Sequence, residues 1–171
     1  MTKHRILFVC LGNICRSPMA EGVFRRVIED AGVAHLFEVD SAGLGDWHAD
    51  QAPDRRAQGA ARRRGMDISG QRARQVTLAD YDRFDLLLAM DSSNFDELIQ
   101  MSPPDMPEKI RRFLDYAPHA GTQDVPDPFF GGSEGFDHAL DLIEAAARGL
   151  LADLLGDAAA RTNKGAQSSS G

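Results

Sequence analysis

Two residues able to do phosphorus chemistry stand six positions apart near the start of the chain: Cys10 and Arg16, the ends of CLGNICR. Before them, RILFVC (5–10) is a short aliphatic run of the kind that forms a buried parallel strand. After them, SPMAEGVFRRVIEDAG has helical spacing at Met19, Val23, Val27 and Ile28. A small-residue loop between strand and helix can turn several backbone N–H groups inward to cradle an oxyanion. Gly12 and Asn13 suit the unusual dihedrals of such a loop. A cysteine at a helix N-terminus beside an arginine reacts as the thiolate, and the thiolate is the nucleophile. Arg16 adds a planar fork of donors that matches two phosphate oxygens. Together these residues describe a nucleophile beneath a bound phosphate, suited to in-line displacement through a cysteinyl-phosphate intermediate. A free cysteine at a strand end is ordinarily a core residue; the contiguous string, strand then CLGNICRSP then helix, is what carries the chemical reading.

The elements that must position this loop follow from the rest of the chain. Ser17 is a candidate N-cap with Pro18 at the first helical position, and Gly32 ends that helix. FEVDSAG (37–43) and FDLLLAM (84–90) read as further strands, and a short strand lies near KIRRF. DRRAQGAARRRG, stopping at Gly65, and DSSNFDELIQM read as helices. The last helix, DHALDLIEAAARGLLADLL, has Leu140, Ile143, Ala147, Leu150, Leu151 and Leu154 as its core stripe. Strands alternating with helices predict an α/β fold with a parallel sheet, whose sites lie beyond the carboxyl ends of strands. CLGNICR occupies such an end. The expected organisation is one domain over residues 1–156, then a mobile polar tail over 157–171.

Composition narrows the function. The chain has 171 residues, 43% hydrophobic and 26% charged, with no apolar run long enough to span a membrane. No signal peptide is legible, so a cytoplasmic location is expected, with export by another route left open. A net charge of −7 argues against wholesale nucleic-acid binding. Yet residues 55–74 carry seven arginines against Asp67, a local +6 that leaves −13 for the remainder. That stretch reads as a solvated helix face or as an attractor for an anionic partner. The five histidines are scattered without metal-ligand spacing, and two cysteines are too few for a disulfide framework.

VCLGNICRSPMAE resembles the signature of the low-molecular-weight protein tyrosine phosphatases, and the order of elements is similar along residues 4–156. The resemblance implies a single domain built on a four-stranded, twisted parallel sheet with helices on both faces. It implies hydrolysis of phosphotyrosine phosphomonoesters without metal or cofactor, with phosphotyrosine-containing proteins as substrates and inorganic phosphate or other oxyanions as product or inhibitor. By that resemblance Cys10 is the nucleophile and Arg16 binds phosphate. The loop Leu11, Gly12, Asn13, Ile14, Cys15, Arg16 and Ser17 forms the cradle, with Ser17 bonded to the thiolate. Asn13, Ser17 and Ser41 resemble the polar network that supports the loop. The position where that network often has histidine matches Gln71.

Such an enzyme needs a proton donor for a phenolate and then a base for water. In DVPDPFFGG (124–132), Asp127 precedes proline, as the resemblance requires of the acid; Asp124 is a near neighbour that does not. Trp47 reads as partial core packing or, by resemblance, as an aromatic wall, with Phe129 and Phe130 opposite. Both stand where many family members have tyrosine, so regulation by phosphorylation there is not expected. Asp91 reads as a helix N-cap. Cys15 reads as loop filling or as the partner of Cys10 in a reversible disulfide. A protein-arginine phosphatase of the same fold tends to have threonine at position 14; Ile14 suits an aryl phosphate better. An arsenate reductase needs cysteines beyond position 15, and the chain has none. A non-catalytic phospho-ligand module needs neither thiolate nor acid.

Overall fold

The computed structural model describes the backbone of residues 3–169 and the side chains of residues 3–156. The tail expected at 157–171 therefore lies outside the described side chains. Four strands, β1 (His4–Cys10), β2 (Phe37–Gly43), β3 (Leu86–Ala89) and β4 (Ile110–Arg112), form one parallel sheet in the order β2-β1-β3-β4. The helices are α1 (Arg16–Asp30), α2 (Arg55–Arg63), α3 (Leu78–Arg83), α4 (Ser92–Met101) and α5 (Ser133–Ser169), the last leaving helical geometry at Gly156. None of the described helices is long and apolar enough to cross a membrane.

The alternation of β1 divides the core. Ile6, Phe8 and Cys10 face the cluster formed with α1, α2 and α5, where Phe8 packs edge-on against Phe24 and Phe113. Leu7 and Val9 face the opposite cluster with Tyr81, Phe84 and Leu98 from α3, its following residue and α4. Paired on both edges and covered on both faces, β1 is buried from Ile6 to Cys10, which is why that stretch reads as an apolar run. Its cysteine inherits the parity of Phe8 and so emerges on the α1 side. The chain leaves β1 toward β2, while β3 lies on the other flank, so the crevice between their carboxyl ends is the switch point of the sheet.

Three local expectations are corrected. Ser17 is not the cap of α1: the helix begins at Arg16 after Cys15, with no side-chain cap, because the Ser17 hydroxyl is drawn to Cys10 and Asn13. Pro18 is accordingly the third helical residue, still within the first turn whose amides need no helical acceptor. Helix α3 is additional; its signal was the Thr77-to-Asp80 capping box, in which the Asp80 carboxylate accepts from the Thr77 amide. The arginine-rich stretch is only in part the solvated face the sequence suggests: Arg55, Arg62 and Arg72 are exposed and form no ion pair among the described residues, while others have carboxylate partners. Arg63 and Arg64 pair with Asp137, Arg64 also with Asp141 and Glu144 on α5, and Arg74 with Asp40 and Asp80.

Helix α5 approaches the segment after β4 so closely that a Cβ at Gly149 would overlap the Tyr116 carbonyl oxygen. At Gly59 in α2, a Cβ would sit an ordinary 3.6 Å from the Arg63 side chain. Alanine gains about 1 kcal/mol over glycine in a helix, while overpacking against backbone costs about 1–3 kcal/mol. Gly59→Ala should therefore raise the denaturant midpoint and Gly149→Ala should lower it; equal shifts of one sign would refute the close approach of α5.

Candidate active site

The loop after β1 is organised by Asn13, which sits in the left-handed region at φ 59°. Its side chain makes three hydrogen bonds. Nδ2 donates to Ser17 Oγ at 2.7 Å and to Ser41 Oγ at 3.0 Å, and Oδ1 accepts from the Arg74 amide at 3.0 Å. The Asn13 amide points back at Cys10 Sγ, 3.3 Å away, and Ser17 Oγ lies 3.0 Å from the same sulfur. Gly12, expected to need an unusual dihedral, does not have positive φ; it needs space, since a Cβ there would come within 3.0 Å of the His48 ring. The amides of Gly12, Ile14, Cys15 and Arg16 meet no hydrogen-bond acceptor among the described residues.

Arg16 is 3% exposed and is compensated from three directions. Nη1 donates to Asp91 Oδ2 at 2.6 Å and to the Val125 carbonyl at 2.9 Å, and Nη2 lies 3.6 Å from Asp127 Oδ2. Burial works against its charge, but Cys10, Asp91 and Asp127 more than offset that, and its pKa is held above the ordinary guanidinium value. Asp91 caps α4 through Oδ1, as its sequence context suggested, and its other oxygen holds Arg16. That second role had no local signal, because the partner is 75 residues away in sequence.

The two cysteines differ in surroundings. Both are free and buried. Burial, reinforced by the negative charge of Asp54, Cys10 and Asp127, pushes the Cys15 thiol far above its usual range, so Cys15 stays protonated at neutral pH. Cys10 is the cysteine with two hydrogen-bond partners on its sulfur.

A cavity of about 230 Å³ opens above the loop, lined by Cys10, Leu11, Gly12, Ile14, Cys15, Arg16, Trp47, His48, Asp127, Phe129 and Phe130. Trp47 is 65% exposed and its ring lies over Gly45, so it is rim and not core. Phe129 is half-buried and Phe130 is 92% exposed, the two rings edge-to-face at 4.9 Å. Asp127 Oδ1 accepts from the Phe129 amide at 3.1 Å, leaving Oδ2 toward Arg16. Asp124 does not line the cavity; its Oδ1 accepts from the amide and hydroxyl of Ser92, both at 2.8 Å, tying this loop to the start of α4. His48 lines the cavity without having been singled out in the sequence, where one histidine in a polar loop carries no signal.

The supporting network runs from Asn13 through Ser41 to Glu21, whose Oε1 accepts from Ser41 at 2.8 Å and whose Oε2 accepts from Arg25 at 2.9 Å. Burial raises the Glu21 carboxyl above its usual value, with Ser41 and Arg25 pulling the other way. Gln71 lies outside this chain of bonds: its Nε2 donates to the Pro18 carbonyl at 3.0 Å, and its buried Oε1 meets no donor among the described residues.

This geometry has close counterparts. The low molecular weight protein-tyrosine-phosphatase of Streptomyces coelicolor is 43% identical over 152 residues, 87% of this chain and 92% of that protein. The crystal structure of a protein tyrosine phosphatase from Entamoeba histolytica, with Hepes in its active site, matches with a TM-score of 0.86 at 37% identity, over 89% of this chain and 97% of that one. A Drosophila arginine phosphatase matches with a TM-score of 0.83 at 31% identity, over 89% and 98% of the two chains. The family model for low molecular weight phosphotyrosine protein phosphatase matches residues 5–160, and with the loop, sheet and relatives in agreement, the chain belongs to that family of cysteine-based hydrolases.

Proposed function

We propose that the protein hydrolyses phosphotyrosine in proteins, with Cys10 as nucleophile, Arg16 as phosphate clamp and Asp127 as acid and then base. The observation that carries this reading is the placement of Cys10 Sγ. It sits at the cavity floor, bonded to Ser17 and the Asn13 amide, under a loop whose Gly12, Ile14, Cys15 and Arg16 amides have no acceptor among the described residues. Those amides and the Arg16 guanidinium supply donors for the oxygens of a phosphoryl group, and a thiolate beneath it is aligned for in-line attack. In the first step the S–P bond forms, the P–O bond to tyrosine breaks, and the Asp127 proton passes to the departing phenolate. In the second, the Asp127 carboxylate takes a proton from water, the water oxygen bonds to phosphorus, and the Cys10 thiolate leaves, stabilised by the Ser17 hydroxyl. Inorganic phosphate is the product.

The cavity walls favour an aryl ester. Leu11, Ile14, Trp47 and Phe129 present apolar surface, whereas a phosphoguanidinium would need hydrogen-bond acceptors along its stem. With chelator present, the wild type should turn over p-nitrophenyl phosphate, and Cys10→Ser should fall to the uncatalysed background; wild-type turnover no greater than that of Cys10→Ser would end the enzymatic reading. On matched peptides, kcat/KM for phosphotyrosine should exceed that for phosphoarginine by more than about tenfold, or 1.4 kcal/mol. The reverse preference would reassign the substrate.

We infer a protective role for Cys15. Peroxide oxidises Cys10 to the sulfenic acid; the Cys15 sulfur then displaces hydroxide, leaving as water once protonated, and an S–S bond forms. Brief peroxide treatment should inactivate the enzyme in a way that dithiothreitol reverses, and Cys15→Ala should leave most of the loss irreversible. Full recovery of the alanine variant would count against the disulfide.

A further inference from the structure

Residues 127–131 contain the acid and one aromatic wall; Asp127 faces Arg16 at 3.6 Å, Pro128 is buried and Phe129 packs on the main core, but hydrogen bonds from other elements are few. The first part of their loop is anchored: Asp124 binds Ser92, and Val125 bonds through its amide to Met90 and through its carbonyl to Arg16. Beyond that point, the only hydrogen bond donated from another element to residues 127–131, among the described residues, comes from Arg56 Nη1 to the Gly131 carbonyl at 3.2 Å. The same guanidinium lies 5.4 Å from the Phe129 ring centre and 4.9 Å from that of Phe136. Its other donors are fixed by Asp54: Nε to Oδ1 at 3.0 Å and Nη2 to Oδ2 at 3.1 Å. The Asp54 amide, in turn, donates to the Ile14 carbonyl of the phosphate-binding loop at 2.8 Å.

We propose that Arg56 is a positioning residue that fastens the acid loop to the phosphate-binding loop and so sets the placement of Asp127. The chain of contacts is short. Arg56 holds Phe129 and Gly131, and the Phe129 amide holds Asp127 Oδ1. Asp54 orients the clamp by accepting from the Arg56 fork through both carboxylate oxygens. Arg56 does not line the cavity and makes no contact with Cys10 or Arg16, so its loss disturbs proton transfer while leaving phosphate binding intact.

This assignment rests on the reading of Asp127 as the acid, and one experiment separates the two. Wild type, Asp127→Ala, Arg56→Ala and Arg56→Lys are compared on phenyl phosphate, whose leaving group needs a proton, and on p-nitrophenyl phosphate, whose leaving group needs one far less. A misplaced acid costs about 10- to 100-fold, so Arg56→Ala should lose that much kcat/KM on phenyl phosphate and less than about threefold on p-nitrophenyl phosphate. Its inhibition constant for inorganic phosphate should match the wild type. Arg56→Lys keeps a cation over the two rings without the fork, and should recover part of the loss. Arg56→Gln carries the same comparison if the alanine chain does not fold. Equal losses on both esters, a weakened phosphate inhibition constant, or no loss at all in the Arg56 variants overturns the proposal. If Asp127→Ala itself shows no dependence on the leaving group, the acid reading fails and this one with it. If Asp127→Ala shows the dependence and the Arg56 variants do not, only the role of Arg56 fails.

Discussion

The buried positive charge of Arg16 is the constraint on which the site is organised. A guanidinium taken out of water is stable only if its donors are met and its charge is balanced. Here the balance comes from Asp91 after β3 and from Val125 and Asp127 in the loop before α5, while Cys10 stands on the same side. Three chain segments far apart in sequence are thereby drawn to one point at the carboxyl ends of β1 and β3. The sheet order makes this possible, because those two strands are neighbours and their exits diverge to leave the crevice.

A second constraint is backbone shape. The loop after β1 holds Asn13 in a left-handed conformation that non-glycine residues rarely adopt. Bonds to Ser17, Ser41 and Arg74 hold it there, and Glu21 extends the support into the interior of α1. The polar groups beneath the loop thus fix its shape in advance, as the proposed chemistry requires. The same burial separates the two cysteines chemically: Cys15 is kept as a thiol, while the Cys10 sulfur receives a hydroxyl and an amide.

The parts of the molecule legible from sequence were those that depend on near neighbours. β1 was visible because a strand covered on both faces is apolar throughout, and β2 because its alternation ended in a turn. The loop was visible because its small residues, thiol and arginine are contiguous. Asp127 was distinguishable from Asp124 by the proline that follows it. Ser17 was misread as a cap because its residue type fits that role equally well, and only the proximity of Cys10 and Asn13 decides between them. Helix α3 was missed although Thr77 and Asp80 carried its signal, because six residues are too few for a periodic pattern.

By itself, then, the sequence determined the order of strands and helices, the parallel sheet and the identity of the contiguous loop, because backbone propensity, hydrophobic period and local spacing are properties of neighbouring residues. Tertiary structure alone decided that Asp91 both caps α4 and compensates Arg16, that the loop-supporting network ends on Glu21 and not on Gln71, and that Arg56 links two loops through Asp54. It also decided that Arg63 and Arg64 of the arginine-rich stretch pair with α5, and Arg74 with Asp40 and Asp80. Apart from the local Asp91–Asn94, Arg56–Asp54 and Arg74–Asp80 contacts, these join groups about twenty or more residues apart, and the partner of a charge or a hydrogen bond is chosen by distance in space.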